Sequence, residues 1–316
     1  WAHGKPWTFT LDSELATDWE SGMELLPILK KYGRTPRAIF ARLCLLGELS
    51  EELNPYRMNS KDGKIEDQVI TKLKKMTDYD GNFTYPDIRK IAKRDCGLWG
   101  KLKSGRAILD TQDKLDQYWF SYGLMIESQW KYVFKNFKVD SFDDGVEIID
   151  YGCGQGGASL LFLDKFYSDF KKNISKIKLT DAGSLALQRA KMFLENYSSD
   201  IKIVDINKDL DDLETRDLET DQNLPQIHLF SNILDVNNFD VDKLFNKITK
   251  NTGKHLFLAV SPHRNFKGGS ARLGQFYNRF INAKNVDLNW NEFSDPFEFQ
   301  QNRCAVAFGI DLTVLE

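Results

Sequence analysis

The stretch Val146-Glu147-Ile148-Ile149-Asp150-Tyr151-Gly152-Cys153-Gly154-Gln155-Gly156-Gly157-Ala158-Ser159 decides how the rest of the chain is read. Val146, Ile148 and Ile149 supply a short apolar strand, the glycines a sharp turn, and a helix is expected from about Gly156. Gly152, Gly154 and Gly156 lack the Cβ atoms that would hold a ligand off the backbone. Asp150 is read as the last strand residue, two before the first glycine, so its carboxylate is expected to face the crevice at the strand's carboxyl edge. Open α/β sheets bind ligands in that crevice.

Two ligands compete for such a loop. Gly152, Gly154 and Gly157 also satisfy G-x-G-x-x-G, the dinucleotide fingerprint. A pyrophosphate on the helix N-terminus would face Asp150 with like charge, whereas a ligand carrying a cationic α-amino group would be attracted to it. Asp150, Gly152, Gly154 and Gly156 together form D-x-G-x-G-x-G, which resembles motif I of the class I S-adenosylmethionine (SAM)-dependent methyltransferases. The acid favours SAM over NAD.

The segments that follow fit that resemblance over residues 110 to 316. Leu160–Phe170 reads as a helix, and Lys176–Thr180 as a second strand ending in Asp181, 24 residues past Gly157. An acid at that strand tip suits ribose hydroxyls under either ligand. Ile201–Val204 is a third strand, and the resemblance implies adenine contacts just past it, at Asp205 or Ile206. Gln226–Phe230 is a fourth strand, running into Ser231-Asn232-Ile233-Leu234-Asp235. Base-amine methyltransferases place Asn or Asp with Pro-Pro and an aromatic here; this chain has no prolines there, which argues against that acceptor. Ser231 and Asn232 are cofactor candidates by position. Asn232 could alternatively hold a polar group of the substrate, and Asp235 is a base or a helix cap.

Lys254–Val260 is near-continuously apolar, as a buried parallel strand should be, and ends at His263 and Arg264, candidates for substrate contact, with His263, Asn232 and Asp235 the catalytic candidates. A helix is expected over Ala271–Ala283. Lys284–Phe293 and Arg303–Leu315 then read as two strands with little between them, hence an antiparallel hairpin. The expected fold is α/β: a seven-stranded, mostly parallel methyltransferase sheet with an antiparallel C-terminal hairpin, plus a helical N-terminal extension. A NAD-binding Rossmann domain would more often continue as a second parallel half. The domain boundary is placed between 108 and 109.

Before the first strand, Thr111 is an N-cap, and Leu115, Trp119, Tyr122, Ile126 and Trp130 form one apolar helix face. The resemblance implies such a helix closing over the methionine end of the cofactor, with Tyr118 or Tyr122 touching cofactor or substrate; plain core is the simpler role. In the extension, helices are expected from Ser13, over Leu25–Tyr32 and Pro36–Leu49, and from Tyr85 to Lys93, with a turn at Asp80-Gly81-Asn82. Lys64–Arg106 carries eleven Lys/Arg against six acids, a net of +5, with Tyr85 and Trp99 interleaved. It is either a face for a macromolecular partner, RNA or protein, or solvated surface.

Composition narrows the class. The chain has 316 residues, 41% hydrophobic and 13% aromatic, with net charge −3, so a large core is available and nothing global points to nucleic acid or a membrane. Cys44, Cys96, Cys153 and Cys304 are scattered without a C-x-x-C pair, and with only four histidines no metal site is expected. The acids of Asn207–Gln222 lack the glycine and spacing of a calcium loop. Unpaired thiols suggest a cytoplasmic protein. No run approaches the roughly 18 apolar residues of a membrane span, and no leader pattern is present. A start at Trp1 rather than Met fits a piece of a longer protein. The expected activity is methyl transfer from SAM to an RNA or protein acceptor. The alternatives are a non-catalytic SAM-binding scaffold module or a NAD enzyme.

Overall fold

A computed structural model describes residues 7–21, 23, 25–34, 36–46, 48, 84–140, 142, 145–170, 173–221, 223–264, 269–300 and 303–315. The chain divides into two compact units, Trp1–Asp67 and Gln68–Glu316. Leu49, the turn at residues 80–82 and the basic residues Lys64, Lys72, Lys74 and Lys75 lie outside the described residues.

In the first unit, α1 (Phe9–Glu20), α2 (Leu25–Tyr32) and α3 (Pro36–Leu46) enclose Leu15, Ile28, Ile39 and Leu43. Helix α1 begins four residues before the Ser13 start expected from sequence, because Thr8 is its cap: Leu11 N donates to Thr8 Oγ1 at 3.3 Å. Asp18 accepts from Lys31 Nζ (2.7 Å) and from the buried Tyr32 hydroxyl (2.6 Å), joining α1 to α2.

The second unit opens with α4 (Tyr85–Arg89) and α5 (Cys96–Trp99), then a 3-10 segment, Gly100–Gly105. Thr84 and Asp87 form a capping box for α4, which ends at Arg89 rather than Lys93. Helix α6 (Gln112–Asn136) starts at the expected Thr111 cap, whose hydroxyl accepts from Lys114 N at 3.3 Å. Then follow β1 (Val146–Tyr151), α7 (Gly157–Phe166), β2 (Ile174–Thr180), α8 (Ser184–Tyr197), β3 (Lys202–Ile206), α9 (Thr215–Leu218) and β4 (Gln226–Ser231). The chain continues through α10 (Val241–Ile248), β5 (Gly253–Pro262), α11 (Gly269–Ile281), β6 (Val286–Phe293), β7 (Phe297–Gln300) and β8 (Arg303–Val314).

The strand order is β3-β2-β1-β4-β5-β8-β6, with β7 also paired to β8. Strands β1 to β5 pair in parallel, while β8 runs antiparallel to β5, β6 and β7. This is the mostly parallel sheet with an antiparallel C-terminal hairpin expected from the sequence. Strand β7 is additional to the seven expected: Phe297 to Gln300 pair with Ala305 to Arg303, filling the short connection between the hairpin strands.

Both faces of the parallel part are covered, which explains its continuous apolar strands. Side chains alternate across the sheet. Ile148, Ile177 and Leu229 join α4, α6, α7 and α8 on one face, while Ile149, Tyr151, Phe230 and Phe257 join α10 and α11 on the other. Tyr85 belongs to the first of these cores: its hydroxyl donates to Gly123 O at 2.9 Å and its amide to Asp164 Oδ2 at 2.7 Å. Residues 84–109 thus pack with the sheet unit. Among the described residues no helix is long and apolar enough to cross a membrane.

Candidate active site

The carboxyl ends of β1, β2, β4 and β5 bring the glycine loop, Asp181, Ser231-Asn232 and Ser261-Pro262-His263 to one sheet edge. The loop's shape depends on residues free to adopt positive φ: Gly152 (+59°), Gly154 (+54°) and Gly156 (+74°), the last being the left-handed N-cap of α7. A Cβ on Gly152 would lie 2.7 Å from Ile233 Cγ1, and one on Gly156 3.1 Å from Ala190 Cβ. At Gly154 a Cβ would meet nothing within 4 Å. The first and last glycines serve packing; the middle one leaves backbone open to the crevice.

The loop's amides turn inward. Gly152 N donates to Thr180 Oγ1 (3.3 Å), Cys153 N to Thr180 O (2.9 Å), Gly154 N to Asp181 Oδ2 (2.8 Å) and Gly156 N to Cys153 O (2.8 Å). Ser159 N, in the first turn of α7, donates to Asp150 Oδ2 at 3.3 Å, and the Ser159 hydroxyl to the same oxygen at 2.7 Å. A phosphate-binding loop needs such amides facing its ligand. These five are engaged within the protein.

Asp150 is the second-last residue of β1 and fully buried; it does not open into the crevice as its position suggested, because the start of α7 draws it in. Burial pushes its carboxyl up to about 7 against the Ser159 hydrogen bonds, and Oδ1 has no partner among the described residues. Asp181 lies at the tip of β2, raised by burial, with Oδ1 accepting from Gly183 N at 2.7 Å and Oδ2 from Gly154 N. It braces the loop as well as lining the edge.

Asp205, in β3, is exposed and paired with Lys191 Nζ of α8 at 2.7 Å. Ile206, the last residue of β3, is half-buried against the α10 side of the sheet. Next to it, Asn207 Nδ2 donates to Asp181 O (2.8 Å) and Ala182 O (3.0 Å), locking the β2 and β3 tips together.

At the β4 tip, Ser231 Oγ accepts from Trp130 Nε1 (3.0 Å) of α6. Asn232 holds a left-handed φ of +57°, which Asn adopts more readily than other residues with a side chain. Its amide donates to Val260 O at 2.8 Å, and its Nδ2 to Gln129 Oε1 at 3.0 Å. Asn232 Oδ1 and Gln129 Nε2 are buried with no partner among the described residues. An unmet acceptor and an unmet donor therefore stand side by side, suited to the ammonium and carboxylate of an amino acid.

Asp235 is buried, its carboxyl raised by burial against the pull of Arg264, whose Nη1 is 3.5 Å from Oδ2. It does not cap a helix; Asp240 does that for α10, accepting from Asp242 N and Lys243 N. His263 is exposed, with Nδ1 3.1 Å from Ser270 Oγ. Tyr118 and Tyr122 pack at 4.9 Å on α6, and Tyr122 feels the charges of Arg264 and Arg303. The structure thus gathers Asp181, Ser231, Asn232, Asp235, Arg264 and Tyr122 near the crevice, while Asp205 is held at the surface and Asp150 is enclosed.

Sequence reasoning missed Gln129, Ile233 and Arg189. Gln129 had one faint signal, a polar residue on the buried stripe of Ile126, Trp130 and Val133. Buried Arg189 bridges Asp116 (2.8 Å) and Gln155 Oε1 (3.1 Å), tying α6 to the glycine loop across 73 and 34 residues, a pairing no local pattern carries. Elsewhere a cleft of about 420 Å³ lies between the C-terminal ends of α7 and α8, lined by Asp164, Tyr167, Tyr197 and Ser198. Helices after parallel strands run back along the sheet, so this cleft opens at the edge opposite the glycine loop.

No family model matches the chain, and no curated protein matches it. Among solved structures it is similar to an rRNA methylase from Streptococcus thermophilus, at 11% identity and a TM-score of 0.35, over 62% of this chain and 97% of that one. It is also similar to the plantazolicin methyltransferase BpumL in complex with a pentazolic desmethylPZN analogue and SAH, at 15% identity and a TM-score of 0.38, over 80% of this chain and 99% of that one.

Proposed function

We propose that the crevice binds S-adenosylmethionine and that the protein transfers its methyl group to a macromolecular acceptor. One observation carries the reading. The amides of Gly152, Cys153, Gly154, Gly156 and Ser159 are engaged internally, while Asn232 Oδ1 and Asp235 Oδ1 are buried acceptors with no partner among the described residues. Unmet acceptors at this edge suit a cation better than a diphosphate. This supports SAM over NAD, a choice the glycine spacing alone left open.

The residues fit the group. The open backbone at Gly154 gives it room, Asn232 and Gln129 meet its amino-acid end, and Asp181 retains lone pairs for ribose hydroxyls beyond the two amides it accepts. Ile206 and Asn207 border the place for the adenine. When bound, SAM supplies a methyl on a cationic sulfur, open to in-line attack. The chain's contribution is chiefly to hold the acceptor in line and exclude water. Asp235, with its carboxyl raised by burial, takes the proton the acceptor releases, and Arg264 steadies the carboxylate. His263 and Tyr122 border the acceptor's approach.

The test is incubation of the full chain with methyl-labelled SAM and separate RNA, protein and metabolite pools. Label is expected in a macromolecular pool, and Asp181→Ala is expected to abolish it together with SAM binding. SAM binding without transfer to any pool would reduce the protein to a binding module.

A further inference from the structure

The segment Lys93–Ile108 carries a second set of features that cofactor binding does not use. Lys93, Arg94, Lys101, Lys103 and Arg106 are exposed, and among the described residues none pairs with an acid. Asp95 is the sole acid between Lys93 and Arg106, so the segment is net +4. Trp99 is 66% exposed and Ile108 63%, an unusual display of large apolar side chains beside so many cations.

The segment is firmly built. Leu102 is fully buried with Leu109, Leu115 and Ala186. Lys103 (φ +48°), Ser104 (+58°) and Gly105 (+88°) are three consecutive left-handed residues, a costly backbone for the first two. This turn points successive side chains outward while Leu102 anchors it. Its position ties it to the crevice: the Cβ site of Gly105 is 3.8 Å from Tyr122, and Ile108 Cγ2 lies 3.7 Å from the Cβ site of Gly183, which follows Asp181. Arg106 acts on the carboxyl of Asp235, and the exposed Arg303 acts on Tyr122 from the β8 side. A cationic rim with one projecting indole therefore borders the candidate methyl-transfer site.

Charge and shape select the occupant. A polyanion with a repeating charge and flat apolar faces matches alternating cations and an exposed indole, whereas an acidic protein segment would leave the indole unmet. Resting on the SAM reading, we propose that the acceptor is a single-stranded polynucleotide, its phosphates along Lys101, Lys103, Arg106 and Arg303, one base stacked on Trp99 and a neighbouring nucleotide presented to the crevice.

The test uses the full chain with fluorescein-labelled 12-nucleotide oligo-uridine RNA and oligo-thymidine DNA, read by anisotropy over a salt series. Binding of either strand is expected, with a log–log salt slope of about −3, from about 0.7 per phosphate over four contacts. Lys101→Glu with Lys103→Glu is expected to shrink that slope by about 1.4 and weaken binding at least ten-fold. Trp99→Ala is expected to weaken binding about ten-fold with the slope unchanged. SAM calorimetry on the same variants is expected to match wild type, which shows them folded and separates the two readings. Absence of SAM binding in wild type sinks the cofactor reading. SAM binding with neither strand bound, or strand binding indifferent to these substitutions, overturns the acceptor.

Discussion

Gly152 and Gly154 share a left-handed backbone and differ in what surrounds them, so alanine at each asks a different question. At Gly152 the new methyl would press on Ile233 at 2.7 Å in addition to the strained φ, and a loss of about 3 kcal/mol or more is expected. At Gly154 nothing lies within 4 Å, so only the backbone term, about 1 kcal/mol, should appear in the melt. Asp150 offers a second test at this scale. Its folded carboxyl sits near 7, above the roughly 3.9 of an unfolded Asp, so the folded chain binds this proton more tightly. That stabilisation is complete below the unfolded value and lost as pH rises through 7, to the extent of about 4 kcal/mol. Asp150→Asn should therefore raise the Tm of the ligand-free protein more at pH 7.5 than at pH 5. An equal change at both values would contradict the burial argument.

At the scale of elements, the sheet carries a buried hydrogen-bond chain across β1, β4 and β5. Asn251 O accepts from His255 Nε2 at 2.9 Å, His255 Nδ1 meets His228 Nε2 at 2.9 Å, and His228 Nδ1 meets the Tyr151 hydroxyl at 3.1 Å. The Asn251 carbonyl accepts from His255 Nε2, and with both rings kept neutral by burial His228 Nε2 donates to His255 Nδ1 and the Tyr151 hydroxyl to His228 Nδ1. Burial holds His255 down at about 4, and His228 well below its usual value. With folded values depressed, the stability these rings give is present above about 6.5 and lost as pH falls toward 4, by about 3 kcal/mol for His255. The stability difference between wild type and His255→Gln, measured by urea unfolding, should shrink from pH 7 to pH 4. The turn before α6 holds strain instead: Ser104→Gly relieves a φ of +58° and should stabilise by about 1 kcal/mol, read as a higher urea midpoint. Elements with a strong period were plain in the sequence, as with the apolar run of β5 and the Thr111 cap. Strand β7 was not, since its four residues are defined by pairing with β8 rather than by any pattern of their own.

At the scale of the molecule, the mostly parallel sheet and its antiparallel hairpin could be read from one loop, the strand-helix alternation after it and the two closing strands. What could not be read depends on distance along the chain. Tyr85 and Ile88 sit in a basic stretch whose composition suggested an outlying extension, yet Tyr85 is fixed by Gly123 and Asp164, 38 and 79 residues away. Asp150 looked like a rim carboxylate because nothing local reveals that Ser159 will claim it. Gln129 enters the site only because α6 crosses the β4 tip. The site that results is defined by acceptors left unmet, a property of packing that no motif states. Its most direct test is calorimetric titration of the full chain with SAM and, separately, NAD. SAM should bind one to one, NAD should give no heat, and Gly154→Ala should lose SAM while still unfolding cooperatively. Heat with NAD alone, or SAM binding untouched by Gly154→Ala, would contradict a cation seat at this loop.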